Sequence, residues 1–431
     1  MVASPDRTSQ PLEIWTLFAG AMGLDLGLEQ AGLKPTLVNE IEKVYCKTIR
    51  LNRPEITLIE GDAATLTNES LRAARGGYKG EVFLVAGGPP CQSYSSGGKR
   101  EALNDPRGGL VKEFFRIVGE VQPRYFIMEN VANLATAALK HRPIEKRPGK
   151  RWSLKSYEKS IAQASLLEDD APPLEADEMA GSAIRAIIRD VVAPLGYHVT
   201  FGVLDSADYG APQHRLRLIM LGSRDLPPPV LPEATHGPDR RPFATVRDAI
   251  WGLQNDPGPG SEYTPDMAKF FELVPEGGNW RNLPVEMQKE ALGGAFESGG
   301  GKTGFFRRLA WDRPSCTMTG KSNRKASAVC HPTATRPISA RECAAIQGFP
   351  SDWQFAGATG QQFMQSGNAV PVALGRAVGA AILAHAAAAK DHPKTIQHPA
   401  DLDAMIEASM KRLRAAGANN KSKNAASKKA A

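Results

Sequence analysis

A five-residue apolar run, residues 82–86 (VFLVA), halts at Gly87-Gly88-Pro89-Pro90 and is followed at once by Cys91. An unbroken apolar run of this length suits a strand buried on both faces, as in sheets covered by helices on each side. The halt is as informative as the run. Two glycines permit close backbone approach, two prolines stiffen the turn, and open α/β sheets bind ligands beyond the carboxyl ends of their strands. Cys91 stands at such an end. Gln92, Ser93, Ser95 and Ser96 continue it as a polar loop, which favours a reactive thiol over the alternative, a small inert core residue.

The same punctuation recurs along the N-terminal half. Residues 14–18 read as a buried strand, followed by Ala19-Gly20-Ala21-Met22-Gly23 and a helix-compatible segment over 24–30, the opening of a nucleotide-binding fold. These glycines fall short of a full GxGxxG pattern and alone support a cofactor site only weakly. Residues 36–39 run into Glu40, about 20 residues past the turn, where such folds set an acid against ribose hydroxyls. Residues 57–60 end in Gly61-Asp62, a further acid placed to accept from an adenine amino group. Taken singly, Glu40 and Asp62 read equally as solvated loop acids; three consecutive strand ends with suitable chemistry make a stronger pattern. Apolar spacing over 110–121 predicts a helix, and 125–128 a strand ending in Glu129-Asn130. That carboxylate is either the acid a thiol mechanism needs or a surface cap.

Residues 135–181 lose periodicity: a basic, proline-bearing stretch (HRPIEKRPGKRWSLK) gives way to an acidic one (EDDAPPLEADE), as in an insertion or loop. Ser182 is expected to cap a helix whose stripe is Ile184, Ile187, Ile188, Val191, Val192 and Leu195. Residues 197–204 and 216–222 read as a strand pair around a loop ending Gln213-His214-Arg215-Leu216-Arg217. Alternate positions of a strand share a face, so Arg215 and Arg217 are expected to act together on anionic or carbonyl oxygen. Prolines crowd from Leu226, and the chain up to about Trp311 reads as an independent, loop-rich second domain. Order is expected to resume at Pro314, with residues 315–329 as either a phosphate-contacting face or a solvated loop. Gly367-Asn368-Ala369-Val370-Pro371 introduces an alanine-rich helix over 372–389, and Leu402, Met405, Ile406, Met410 and Leu413 suggest one more short amphipathic helix.

The chain has 431 residues, enough for two domains with separate cores, and 42% hydrophobic residues, ordinary for a soluble protein. No apolar run looks long enough to span a membrane, and the first fifteen residues lack the apolar middle of a signal peptide, which leads to a cytoplasmic, nucleoid-associated expectation. The five cysteines are scattered without CxxC spacing, as reduced thiols rather than disulfides or a zinc site. The net charge of +7 lies entirely after Met410: without Lys411, Arg412, Arg414, Lys421, Lys423, Lys428 and Lys429, basic residues equal the 46 acidic ones. This end is expected to be a disordered tail, at most an auxiliary contact to phosphates.

Together these motifs resemble the cytosine-5 DNA methyltransferase family, of the bacterial kind found in restriction-modification systems or as orphans. Phe18-Ala19-Gly20-Ala21-Met22-Gly23-Leu24-Asp25-Leu26-Gly27 is similar to the family's cofactor motif, with Met22 where a second glycine is usual. Gly88-Pro89-Pro90-Cys91-Gln92 matches the nucleophile loop, Glu129-Asn130-Val131 the ENV motif, and Gln213 to Arg217 the QxRxR motif. Arg336-Pro337 through Gln347-Gly348-Phe349-Pro350, and Gly367 to Pro371, match the last blocks. Each motif alone is modest; six in the family's order, over residues 12 to about 388, are specific.

The resemblance implies an α/β fold: a Rossmann-like, S-adenosylmethionine-dependent methyltransferase mixed sheet with a smaller, loop-rich target-recognition domain. Domains are expected at 12–225 (with the 135–181 insertion), 226–335 for target recognition, 336–390 returning to the catalytic domain, and 391–431 as short helix and tail. It implies methyl transfer from S-adenosyl-L-methionine, without a metal, to carbon 5 of a cytosine flipped out of double-stranded DNA. Cys91 would add to carbon 6, Glu129 would bind ring nitrogen 3 and the exocyclic amine, and Arg217 would hold the ring oxygen and orient Glu129, with Arg215 and Asn130 in the same catalytic set. Phe18, Ala19, Gly20, Gly23, Leu24, Glu40, Ile41, Asp62, Ala63, Pro90, Leu110, Asn368 and Ala369 would bind the cofactor, Pro90 as a wall between cofactor and base. A monomer is implied, with or without a cognate restriction endonuclease acting on the same site. Methylation of tRNA by the same chemistry, and a catalytically silent DNA-binding module, are the alternatives; the complete Cys91, Glu129 and Arg217 set argues against the second.

Overall fold

The computed structural model describes residues 12–90, 109–140, 142, 146, 174–297, 304–321, 323–388 and 401–429, with side chains through 416. Its frame is a seven-stranded sheet built from β1 (Ile14–Leu17), β2 (Leu37–Glu40), β3 (Thr57–Glu60), β4 (Leu84–Gly87), β5 (Tyr125–Val131), β6 (His198–Asp205) and β7 (Leu216–Ser223). In space the order is β3-β2-β1-β4-β5-β7-β6. β3, β2, β1, β4 and β5 run parallel, whereas β7 is antiparallel to both β5 and β6. Parallel neighbours need crossovers, supplied by α1 (Gly23–Gln30), α2 (Lys43–Asn52), α3 (Asn68–Ala74) and α4 (Gly109–Val121). The chain leaves β1 toward β2 and returns on its other side at β4, so the crevice between the β1 and β4 ends is the topological switch point.

One face of the sheet is sealed by α4, whose Phe114 and Phe115 meet Phe126 of β5 edge-on, all three without solvent exposure. Burying each such side chain contributes about 2–3 kcal/mol. The opposite face packs against α1 and the helix Val372–Ala388, with Leu24, Leu28, Leu374, Val378 and Ile382 in one cluster. These two helices nearly touch backbones: a Cβ on Gly27 would lie 2.4 Å from the carbonyl oxygen of Val372. By length and composition alone, the segment Thr359–Ala388 is long and apolar enough to cross a membrane. It is two helices, Thr359–Asn368 and Val372–Ala388, and the second supplies core to the sheet.

Several local expectations change once tertiary pairing is present. β5 does not stop at Met128 but continues through Glu129 and Asn130 to Val131, because β7 pairs with it as far as Val131 opposite Arg217. Ser182 is not a helix cap: Gly181, with φ 81°, holds the N-cap position, and the Ser182 hydroxyl instead donates to the Asp177 carbonyl and accepts from the Leu139 amide. The helix there runs on as π-helix over Ile187–Val192 and as a 3-10 turn over Ala193–Leu195. Lys140 bonds Asp177, and Arg142 pairs with Glu178 at 2.5 Å, so the two described ends of the 135–181 stretch are tied together.

Beyond β7 the chain is more helical than its weak periodicity suggests, with helices Pro265–Leu273 and Val285–Leu292. Order therefore does not wait for Pro314. Met267, Phe270, Phe271, Trp280, Leu292 and Phe306 form a local core, and Arg308 is buried beneath it, donating to the carbonyls of Phe271, Val274, His331 and Ala334. A second cluster is shared: Val246, Ile250, Trp311 and Met318 pack with Ile338, Cys343, Ile346 and Phe363. Among the described cysteines Cys46, Cys330 and Cys343 are buried and none forms a disulfide.

The largest departure is at the end of the chain. In place of a short helix and a disordered tail, one helix runs Leu402–Lys429. Ile406 is buried, and Leu402, Met405, Met410 and Leu413 pack against the main core, covering the edge strand β6. The backbone amide of Phe201, on that edge, donates to the Met405 sulfur at 3.3 Å. An otherwise open strand edge is closed by this helix.

Candidate active site

Because five strands are parallel, their carboxyl ends form one row, and the sheet order sets the sequence along it: Asp62 after β3, Glu40 closing β2, Phe18 to Gly20 after β1, Gly88 to Pro90 after β4, and Glu129 in β5. The antiparallel β7 begins at the same edge, which brings Arg217 there. Glu129 lies opposite Ile219, and Arg217 is two residues from Ile219 on the same face. This diagonal pairing lets the Arg217 Nε reach the Glu129 Oε1 at 2.7 Å, with both side chains largely buried.

Burial pushes the Glu129 carboxyl upward from its ordinary range; the charges of Arg217 and Arg215 and the Arg217 hydrogen bond pull it back only in part. Burial likewise lowers Arg217, against the opposing pull of Glu129. The pair is thus held dry, with its acid disposed toward the protonated form. Gly88 completes the enclosure, since a Cβ there would lie 2.8 Å from the Glu129 Oε2. Asn130 fastens the same loop: its Nδ2 donates to the Pro89 carbonyl at 3.1 Å while its Oδ1 accepts from the Val131 amide. Cys91, three residues beyond Gly88, lies outside the described residues, as do residues 92–108.

Arg215 does not face the acid as an equal partner of Arg217. Fully buried, its guanidinium donates to the Met318 carbonyl at 2.6 Å and the Asn368 carbonyl at 3.2 Å. It does act on carbonyl oxygen, as its spacing suggested, but the carbonyls are the protein's own. Gln213 extends the tie: its Oε1 accepts from the Met318 amide and its Nε2 donates to Gln347, which in turn donates to the Ser366 and Ala369 carbonyls. Three motifs far apart in the chain are thereby joined by a buried polar ladder. In the sequence Gln213 and Gln347 are visible only as polar members of their motifs.

On the other side of the switch point, Glu40 accepts from the Gly20 amide at 2.7 Å and from the amides of Ile41 and Glu42. Burial raises its carboxyl, and those amides pull it back in part. Phe18, Gly20 and Met22 all have positive φ, and Met22 adopts at 70° the left-handed conformation usual for glycine while its side chain is wholly buried. Gly23 is small for packing, since a Cβ would lie 2.3 Å from the Val370 carbonyl, and Leu24 faces the core rather than the crevice. Ile41 is exposed and Ala19 half-buried; Asp62 is exposed and accepts from the Ala64 amide, with Ala63 buried behind it. Pro90 is exposed, Leu110 is half-buried at the start of α4, Asn368 is exposed, and Ala369 is buried.

Two further residues belong to this half, Tyr45 and Asp25. Tyr45 shares a hydrogen bond with the Asn368 side chain and borders Gly20. Asp25, fully buried in α1, accepts from the Thr16 hydroxyl at 2.5 Å, and burial lifts its carboxyl to about 7. Tyr45 has no sequence signal; the signal for Asp25 is an acid set among Leu24, Leu26 and Leu28 in the apolar first part of the helix.

The chain matches the family model described as C-5 cytosine-specific DNA methylase over residues 12–143 and 179–384. It is 37% identical over 389 residues to the type II methyltransferase M.PspPI of Psychrobacter sp. (strain TA137), covering 89% of this chain and 81% of that protein. It is 36% identical to M.Eco47II of Escherichia coli, covering 88% and 81%, and 33% identical to M.Sau96I of Staphylococcus aureus, covering 88% and 77%. Two solved structures share the fold: a putative DNA modification methyltransferase encoded within an E. coli prophage (TM-score 0.54, 22% identity, covering 86% of this chain and 99% of that one) and a Spodoptera frugiperda DNMT2 variant (TM-score 0.51, 16% identity, covering 86% and 99%). The mixed sheet, the ordered motifs and these matches agree: the chain belongs to the C-5 cytosine-specific DNA methylase family.

Proposed function

We propose that this protein methylates carbon 5 of a cytosine flipped out of a specific duplex DNA sequence, through a transient covalent bond to Cys91. The observation that carries this reading is the convergence of Glu129, Arg217 and the start of the Cys91 loop, with Gly88 against the Glu129 carboxyl. Carbon 5 of cytosine is a poor nucleophile. Addition of the Cys91 thiolate to carbon 6 turns the ring into an enamine and makes carbon 5 reactive. Electrons from that addition pass toward ring nitrogen 3, where the Glu129 carboxyl, disposed to hold a proton, donates it. Arg217 steadies Glu129 and faces the ring oxygen. Once carbon 5 carries the methyl group, water takes up the carbon 5 proton, the carbon 5–carbon 6 double bond re-forms as the bond to Cys91 breaks and releases its thiolate, and nitrogen 3 returns its proton to Glu129. A free cysteine has a pKa of about 8.5, so activation of Cys91 is expected to accompany substrate binding.

S-adenosyl-L-methionine supplies the electrophilic methyl group. The residues at the switch point fit it: the Glu40 carboxylate meets the Gly20 amide, as a ribose-binding acid would, and exposed Asp62 stands beyond it for an adenine amine. Phe18, Ala19, Ile41, Ala63, Pro90, Leu110, Asn368 and Ala369 would complete that pocket, with Gly23 and Leu24 shaping it from behind. The region 226–335 would read the DNA, and Arg240, Arg241, Lys321, Arg324 and Lys325 are exposed within it. Flipping the base costs a few kcal/mol, offset by these contacts.

The test is covalent trapping. The protein is mixed with S-adenosyl-L-methionine and duplex DNA or tRNA containing 5-fluorocytosine, and adducts are resolved under denaturing conditions. An adduct on DNA that disappears in Cys91→Ser, with cofactor binding retained, supports the reading. Full methylation by Cys91→Ser would sink the mechanism, and an adduct on tRNA alone would transfer the reading to tRNA. Bisulfite sequencing of DNA from expressing cells would then give the target word.

A further inference from the structure

The methylase match ends at residue 384, yet the helix Leu402–Lys429 is docked on the catalytic domain. Ile406 is buried against Gly181, Asp403 pairs with Arg185, and Met405 lies beside Phe201 in the middle of β6. Seven residues later Arg412 has reached the end of that strand. The helix therefore runs in the direction of β6, toward the edge of the sheet that holds Glu129 and Arg217. There Arg412 pairs with Asp208 and lies 4.0 Å from the Asp205 carboxylate.

Those two acids are the foot of the arginine loop. Asp205 accepts the Arg215 amide at 2.9 Å, the Ala207 amide at 3.3 Å and the His214 ring at 2.9 Å. The Asp208 carbonyl accepts from the amides of Thr235 and His236, where the chain enters the region after β7. Burial and the neighbouring Asp205 charge both disfavour an ionised Asp208, and Arg412 is the cation that opposes them most. Without it, two partly buried carboxylates would face each other at the base of the loop that presents both arginines.

We propose that Arg412 is a positioning residue for methyl transfer: from a helix outside the family match, it holds the Asp205 and Asp208 turn that aims Arg215 into its carbonyl ladder and Arg217 at Glu129. The inference rests on the reading of Glu129 and Arg217 as catalytic. A brace at this point acts on the geometry of the chemical step rather than on cofactor or DNA affinity.

The test is single-turnover methyl transfer with DNA and S-adenosyl-L-methionine saturating, normalised to active sites counted by 5-fluorocytosine trapping. R412A and D208N should each lower the rate about tenfold, equivalent to about 1.4 kcal/mol in the barrier, with cofactor affinity and DNA affinity within about twofold of the parent. R412K should restore most of the rate, and the R412A/D208N double variant should be no slower than either single one. Site-normalised rates equal to the parent in both R412A and D208N would overturn the proposal, leaving Arg412 as a stability contact only. Should R412A fold poorly, D208N decides alone. A parent protein that fails to methylate DNA would instead overturn the catalytic reading itself.

Discussion

The Gly88 backbone and the Glu129 carboxylate lie so close that a single methyl group on Gly88 would sit 2.8 Å from Oε2. Glu129 is held through its other oxygen by Arg217 at 2.7 Å, so a shift of the carboxyl would disturb that pair. Gly88→Ala should therefore push the carboxyl out of line with the base. A misplacement of about 1 Å can cost on the order of a hundredfold in rate, and that is the expected loss in single-turnover methylation. Cofactor binding, measured by calorimetry, should be unchanged.

With Glu129 as the proposed proton donor, its raised carboxyl should give the reaction a pH limb. A donor to ring nitrogen 3 must carry its proton, and burial keeps that proton bound to higher pH than in an ordinary glutamic acid. The rate should consequently fall as pH rises through the elevated value. Glu129→Gln keeps the shape and a donor but cannot move a proton, and should lose about 10²- to 10⁴-fold while abolishing that limb. Single-turnover rate against pH in the two proteins is the measurement; a limb that persists in Glu129→Gln belongs to another group.

Asp25 makes a separate, stability-linked prediction. Its carboxyl titrates at about 7 in the folded chain against 3.8 as the ordinary value. The folded state thus binds this proton more tightly than the unfolded state. Its contribution is fully present below pH ~4 and is lost as pH rises toward 7, at most on the order of 4 kcal/mol. Asp25→Asn can still accept from Thr16 and should flatten the fall in denaturant midpoint between those pH values, with little effect on methylation.

Two truncations separate the parts of the C-terminal helix. Ending the chain after Ala416 removes Lys421, Lys423, Lys428 and Lys429 but keeps Arg412 and the docked turns. DNA affinity should lose salt dependence, by a slope of up to about 0.9 for each phosphate contact removed, with the target word unchanged. Ending after Met410 also removes Arg412 and Leu413 and should lower both melting temperature and rate. Fluorescence anisotropy across a salt series, with thermal melts, distinguishes the two.

Much of this fold was legible because its signals are local. A buried strand, a glycine turn and a helix are each dictated by neighbours a few residues apart, so β1 to β4, α4, β6 and β7 fell within a residue or two of their apolar runs. The acids at the strand ends could be placed for the same reason. Met22 was harder: as a non-glycine in a left-handed turn it pays a local conformational cost, offset by a side chain buried with Ala21, Leu26 and Val38. Ser182 satisfied the local rule for a cap, but the Leu139 amide and Asp177 carbonyl claimed its hydroxyl first. The helices after Pro265 and Val285 carry little periodicity because they bury short, irregular faces in a small local core.

By itself the sequence determined the strand ends and the order of the motifs along the chain, and it carries the resemblance from which Cys91, Glu129 and Arg217 are proposed as the catalytic set. Only the tertiary structure decided that β5 extends through Glu129, that Arg217 reaches it diagonally across an antiparallel pair, and that Arg215 joins Gln213 in a buried ladder to the protein's own backbone. It also decided that the last helix closes the β6 edge and brings Arg412 to Asp208. The reason is physical: propensity and periodicity act over one or two turns of chain, whereas partners such as Gln213 and Gln347, or Arg412 and Asp208, are brought together by burial between elements far apart in sequence.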